Sequence, residues 1–173
     1  IKKTVTEHQR IIFNGNGYSE EWIEEAKRRG LPNIPSMVAA VPSLVTDKSI
    51  QLFTKYGVFT EAELRSREEI LYESYSKAIN IEAKTMIEMS SKLFIPAVIK
   101  YTTTLANSIN AIKAAAPNAD VSVQTDLLTN VSTLLANAKA ALSKLTEAVL
   151  AAASKEEGEE QAVFFRDEVF TAM

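Results

Sequence analysis

One run of residues constrains this chain more than any other. From Thr60 to about Ala115 there is no glycine, and the only proline is Pro96. The run opens with Thr60-Glu61-Ala62-Glu63, the pattern of a capping box, in which a threonine hydroxyl and a glutamate three residues on satisfy each other's backbone amides. Phe59 before it and Leu64 after it are spaced as a hydrophobic staple. Apolar side chains then recur at Tyr72, Tyr75, Ile79, Ala83, Met86, Met89, Leu93, Ala97, Tyr101, Leu105, Ile109 and Ile112. Every step is three or four residues, which keeps one helical face apolar. A helix of that length runs about 80 Å at 1.5 Å per residue, so it must pack on partner helices or project as an arm. Pro96 removes a backbone donor and crowds the preceding turn, which predicts a kink in a continuing helix rather than a break.

The rest of the chain arranges itself around that helix. Residues 125 to 154 carry a second apolar series at Leu128, Val131, Leu135, Ala138, Leu142, Leu145, Val149 and Ala152. This heptad-like seam, reached through a turn assigned to Val121-Ser122-Val123, predicts a helix folding back antiparallel on the distal half of the first. Lys155-Glu156-Glu157-Gly158 reads as a second bend, and Glu159 to Met173 as the start of a third helix. Upstream, Ser19 to Arg29 reads as a helix with acidic residues at its start, basic residues at its end and Gly30 closing it. Residues 31 to 47, with Pro32, Pro35 and Pro42, read as a linker holding one short helix from Ser36 to Ala40. Asp47 to Tyr56 reads as another short helix closed by Gly57, with Ile50, Leu52 and Phe53 as a docking patch. Ile11-Ile12-Phe13 fits either a brief strand or the end of a helix. The expected fold is all-α: an elongated antiparallel bundle around one long, proline-kinked helix with a coiled-coil-like hairpin. Residues 1–59 form a linker and small-helix segment, and residues 60–173 form the long-helix bundle.

Composition narrows the function. Apolar residues make up 46% and charged residues 24%, with a net charge of −3, no cysteine and one histidine, His8. No basic footprint marks a nucleic-acid or membrane surface, and neither thiolate sites nor multi-histidine metal sites can form within the chain. No run of 18 apolar residues occurs, and an intracellular location is expected. Asn14-Gly15-Asn16-Gly17 ahead of Ser19 suits turns with positive φ, with Ser19 capping the next helix. A sharper reading is a phosphate-binding nest, although the lysine of a P-loop is missing. Glu156, Glu157, Glu159 and Glu160 read as solvated carboxylates, and Arg65, Arg67, Glu68 and Glu69 as surface ion pairs. Tyr72, Tyr75, Tyr101, Met86 and Met89 read as core, and Asn80 as a candidate buried hydrogen-bonding residue. No serine, threonine or lysine has the partners of an activated nucleophile. The residues describe a non-catalytic helical module, with no catalytic, cofactor-binding or metal residue.

Several ordered segments give that module a family. His8-Gln9-Arg10-Ile11-Ile12-Phe13-Asn14-Gly15-Asn16-Gly17-Tyr18-Ser19-Glu20-Glu21-Trp22 resembles the segment that follows the catalytic domain in class III glutamine synthetases. So do Arg28-Arg29-Gly30-Leu31-Pro32-Asn33 and Leu52-Phe53-Thr54-Lys55-Tyr56-Gly57-Val58-Phe59-Thr60-Glu61. Ser66-Arg67 with Glu69-Ile70-Leu71, Tyr75-Ser76-Lys77 with Ile79-Asn80-Ile81-Glu82-Ala83, and Ile95-Pro96-Ala97-Val98-Ile99-Lys100-Tyr101 follow in the same order. Phe165-Arg166-Asp167 with Val169-Phe170 and Met173 resembles a later helix of that family. The resemblance is weakest over residues 103 to 160. It implies a helical, non-catalytic C-terminal domain, truncated before its last helices, on a cytoplasmic enzyme that joins glutamate and ammonia with ATP and magnesium. The family's catalytic motifs lie upstream of Ile1, so no catalytic residue carries over. Its partners would be its own catalytic domain and neighbouring subunits in stacked hexameric rings, with neither nucleic acid nor membrane among them. An independent module that recruits a separate helix is the alternative, and a nucleotide site at Asn14 to Ser19 a third.

Overall fold

The computed structural model describes residues 1–173, and the fold is all-α. Its axis is a continuous helical run made of α5 (Glu61–Met89), a π turn (Ser90–Phe94) and α6 (Ile95–Ala115). The capping box that starts it is fully formed. The Glu63 amide donates to Thr60 Oγ1 at 3.3 Å, and the Thr60 amide donates to Glu63 Oε2 at 2.8 Å. Phe59 lies against Phe53, with ring centroids 5.7 Å apart, and the Arg67 guanidinium sits 4.3 Å from the Phe59 centroid. Pro96 is the second residue of α6, one residue beyond the π turn. A proline lacks the amide of the regular helical ladder and clashes with the carbonyl four residues back; the wider turn relieves that conflict without ending the helix.

α7 (Ser122–Ala152) returns antiparallel along α6 and continues past the π turn onto α5. The reversal is at Pro117–Asp120, not at Val121–Val123, because Asp120 Oδ1 accepts from the Ser122 amide at 2.9 Å and starts the helix there. Lys113 Nζ closes the loop by donating to the carbonyls of Ala119 at 2.8 Å and Pro117 at 3.2 Å. Gly158, at φ +102°, makes the second bend. Beyond it, α8 (Glu159–Phe164), a second π turn (Phe165–Val169) and α9 (Phe170–Ala172) lie across α5 and α7. The main core is the junction of these three segments: Ile79 and Ala83 from α5, Leu145, Val149 and Ala152 from α7, and Phe165 and Val169 from the second π turn.

The proline-rich stretch expected to be a linker is part of the packing. α3 (Met37–Ala40) and the 3-10 turn Val41–Val45 place Val38 and Val41 against Tyr72 and Ala162 in a second cluster. α4 (Asp47–Lys55) follows; Ile50 and Phe53 are half-buried, but Leu52 points to solvent. Farther upstream, Lys2–Glu7 is helical (α1) and Gln9–Ile11 is a 3-10 turn, so the apolar cluster at Ile11 begins no strand. α2 (Glu20–Arg28) packs back on that segment rather than on α5: Trp22 meets Phe13 at 4.9 Å, and Arg29 donates to the Ile12 carbonyl.

Candidate interaction surface

The tip of the helical hairpin is almost coreless. Between Lys84 and Ala141, Leu105 is the one buried side chain. The α6–α7 seam at Ile109, Ile112, Leu128, Val131 and Leu135 is only half-buried, since two helices alone leave each other's flanks open. Three residues expected in the core stand outside it: Met86 is 37% exposed, Met89 40% and Tyr101 47%. Each lies on the apolar series, but the third helix reaches only the α5 end of the bundle, so farther out α7 alone covers the series and leaves its flank open.

A second apolar face runs along α7 beside the seam. Val123, Leu127 and Leu134 follow at steps of four and seven, and all three are exposed. Leu93 and Phe94 project from the first π turn, with Phe94 56% exposed. Met86, Phe94, Val98, Leu134, Leu142 and Met173 are among the walls of an apolar groove of about 470 Å³ beside that turn. Charge is sparse here. From Leu93 to Ala138 the ionisable side chains, tyrosine apart, are Lys100, Lys113, Asp120 and Asp126. The threonines are self-satisfied: the hydroxyls of Thr103, Thr104, Thr125, Thr129 and Thr133 each donate to the carbonyl four residues back. A surface with few charges, exposed Leu, Phe and Tyr and internally bonded hydroxyls has the composition of the centre of a protein interface.

The other candidate residues do not converge. Glu156, Glu157, Glu159 and Glu160 are exposed, with Lys155 3.2 Å from Glu160. Arg65 pairs with Glu61 rather than with Glu68 or Glu69, and Arg67 covers Phe59. His8 is exposed at the end of α1, and Asn80 is half-buried. No three His, Cys, Asp or Glu side chains stand close enough to hold a metal ion.

The Asn-Gly repeat departs from its expected geometry. Neither Gly15 nor Gly17 has positive φ; the chain reverses through the Asn16 side chain, whose Oδ1 accepts from the Tyr18 amide at 3.0 Å. Ser19 does not cap α2 with its side chain, and its hydroxyl donates to the Asn16 carbonyl at 2.7 Å. With the Tyr18 and Ser19 amides both bonded to Asn16, these two donors are not turned toward a phosphate. An added Cβ on Gly15 would fall 2.5 Å from the tip of the Phe13 ring, which would have to turn aside. The strongest electrostatic feature nearby is structural. Arg28 and Arg29 both donate to Glu25, which holds its carboxyl at a pKa of about 2.

Comparison with known proteins places this architecture. The family model of the glutamine synthetase C-terminal domain matches residues 1–113. The chain belongs to that family. It is 38% identical over 173 residues to a glutamine synthetase of Butyrivibrio fibrisolvens, covering 100% of this chain and 25% of that protein. It is 43% identical over 112 residues to a type-3 glutamine synthetase of Dictyostelium discoideum, covering 65% of this chain and 15% of that protein. A glutamine synthetase of Bacteroides fragilis is 27% identical over 173 residues, covering 98% of this chain and 24% of that protein. The chain thus spans about a quarter or less of the length of these relatives. The family match ends within α6, close to where the sequence resemblance weakens. No helix of this glutamine synthetase C-terminal domain is long and apolar enough to cross a membrane.

Proposed function

We propose that this chain is the assembly arm of a cytoplasmic glutamine synthetase that joins ammonia to glutamate with ATP and magnesium. The chemistry belongs to the catalytic domain of the parent enzyme, and the arm acts by bracing a neighbouring subunit. The observation that carries this reading is the α6–α7 hairpin, a long, charge-poor pair of helices with one buried side chain between Lys84 and Ala141. Such a hairpin gains little from folding on itself and much from being covered. Family membership supports oligomeric assembly; neighbouring subunits in stacked rings are the partners proposed. Deleting residues 60–173 from the full enzyme tests it. Ring assembly or solubility is expected to fail before metal or ATP affinity changes, and normal rings with normal kinetics would refute it. The exposed face also fits an independent module that captures a foreign helix, in which case the deletion leaves the rings intact and removes that partner alone.

A further inference from the structure

The turn ahead of α2 holds two Asn-Gly pairs, Asn14-Gly15 and Asn16-Gly17, and the assembly reading uses neither. An asparagine followed by glycine carries its own electrophile and nucleophile. The side-chain Cγ can reach the next amide nitrogen, and glycine puts no side chain in the way. The two pairs differ in this structure. Asn16 Oδ1 accepts from the Tyr18 amide at 3.0 Å, which draws electron density from Cγ and folds the side chain back over the residues that follow it. The Gly17 amide donates to no carbonyl. Asn16 and Gly17 are both exposed, and a Cβ on Gly17 would meet nothing within 4 Å. At the other pair the Phe13 ring lies against Gly15, and no amide bonds the Asn14 side chain.

We propose that Asn16-Gly17 is a site of covalent self-modification: deamidation through a succinimide, with solvent water as the co-reactant. The Gly17 nitrogen loses its proton to hydroxide and attacks Asn16 Cγ. The Tyr18 N–H stabilises the oxyanion that forms. The Cγ–Nδ2 bond then breaks, the leaving nitrogen takes a proton from water, and ammonia departs from the cyclic imide. Water adds to either imide carbonyl. Opening the bond between Cγ and the Gly17 nitrogen leaves aspartate at position 16. Opening the bond between the main-chain carbonyl carbon and that nitrogen leaves isoaspartate. Either way one amide and one water become a carboxylate and ammonia.

The two products act differently on α2. Aspartate keeps the main chain and still accepts from the Tyr18 amide, now as a charged acceptor. Isoaspartate routes the main chain through Cβ and Cγ. That displaces the Asn16 carbonyl, which accepts from the Ser19 amide at 3.1 Å and the Ser19 hydroxyl at 2.7 Å. These bonds fix the entry to α2, whose Trp22 stands against Phe13, so the isoaspartyl form loosens that contact. The site is independent of the assembly reading, because it lies in the N-terminal segment, outside the hairpin.

The test is ageing of the chain at mildly alkaline pH, native and in urea. Mass spectrometry of the tryptic peptide from Ile11 to Lys27 then reads each position, with fragmentation that separates 14 from 16 and distinguishes isoaspartate. In the native chain Asn16 is expected to convert at least about fivefold faster than Asn14, and in urea the two should convert at similar rates. Gly17→Ala should slow conversion at Asn16 at least about tenfold with helicity unchanged, since Gly17 has no positive φ and its Cβ would meet open space. The isoaspartyl fraction should show altered Trp22 fluorescence. The proposal is overturned if Asn14 converts as fast as Asn16 in the native chain, if the lead of Asn16 persists in urea, or if only the urea-treated chain converts. It is equally overturned if Gly17→Ala leaves the Asn16 rate unchanged, and an isoaspartyl fraction with unaltered fluorescence contradicts the loosening of α2.

Discussion

Thr60 and Glu63 show how much a single local motif can decide. Their reciprocal bonds satisfy two of the amides that a helix start leaves unpaired, and they set where the molecule's axis begins. Thr60→Ala should cost about 1 kcal/mol in chemical denaturation, and Thr60→Ser should restore most of it. Glu25 offers a second residue-scale test. Its hydrogen bonds to Arg28 and Arg29 lower its pKa from the ordinary 4.5 to about 2. A depressed carboxylate pKa stabilises the folded form above the unfolded pKa, and that contribution disappears as pH falls through the folded one. The α2 segment should therefore loosen between about pH 4.5 and 2. Trp22, the single tryptophan, reports it through fluorescence against Phe13. In Glu25→Gln this transition should vanish; if it persists unchanged, the arginine clamp is not its cause.

At the scale of elements, the sequence was most informative where local chemistry alone determines structure. Gly30 and Gly57, at φ +68° and +64°, end α2 and α4 as expected. Each is followed by a residue whose amide bonds back to the first carbonyl of the final turn, Leu31 to Ala26 and Val58 to Phe53. The long helix passes Pro96, and the Gly158 bend separates α7 from α8. Periodicity could not show which part of an apolar face is covered. Tyr72 and Met89 have the same sequence signature, yet Tyr72 is 3% exposed because Val38 and Ala162 lie on it, and Met89 meets no third helix. The prolines at 32, 35 and 42 suggested a linker and concealed Val38 and Val41, two core residues on a short helix and turn. Likewise, the Asn16 side-chain turn replaced the glycine conformations that Asn-Gly steps suggest. These differences yield a paired prediction on the isolated chain. Leu145→Ala, at 1% exposure, should destabilise by about 2–5 kcal/mol, whereas Leu134→Ala, at 66%, should stay within about 0.5 kcal/mol.

Across the whole molecule, the two ends of the bundle differ in kind. The end near Tyr72 and Val169 has three layers of helix and a closed core. The other end is a two-helix hairpin that presents Val123, Leu127 and Leu134 outward. A residue indifferent to stability in the isolated chain but required in the assembled enzyme is the signature of an interface. The direct measurement is sedimentation of the full glutamine synthetase carrying Leu127→Glu and Leu134→Glu, beside the same substitutions in the isolated chain. The assembly reading predicts that the isolated chain keeps its helicity and melting temperature while the enzyme falls to smaller species. An enzyme that sediments as the wild type does, with both charges buried nowhere, would contradict it.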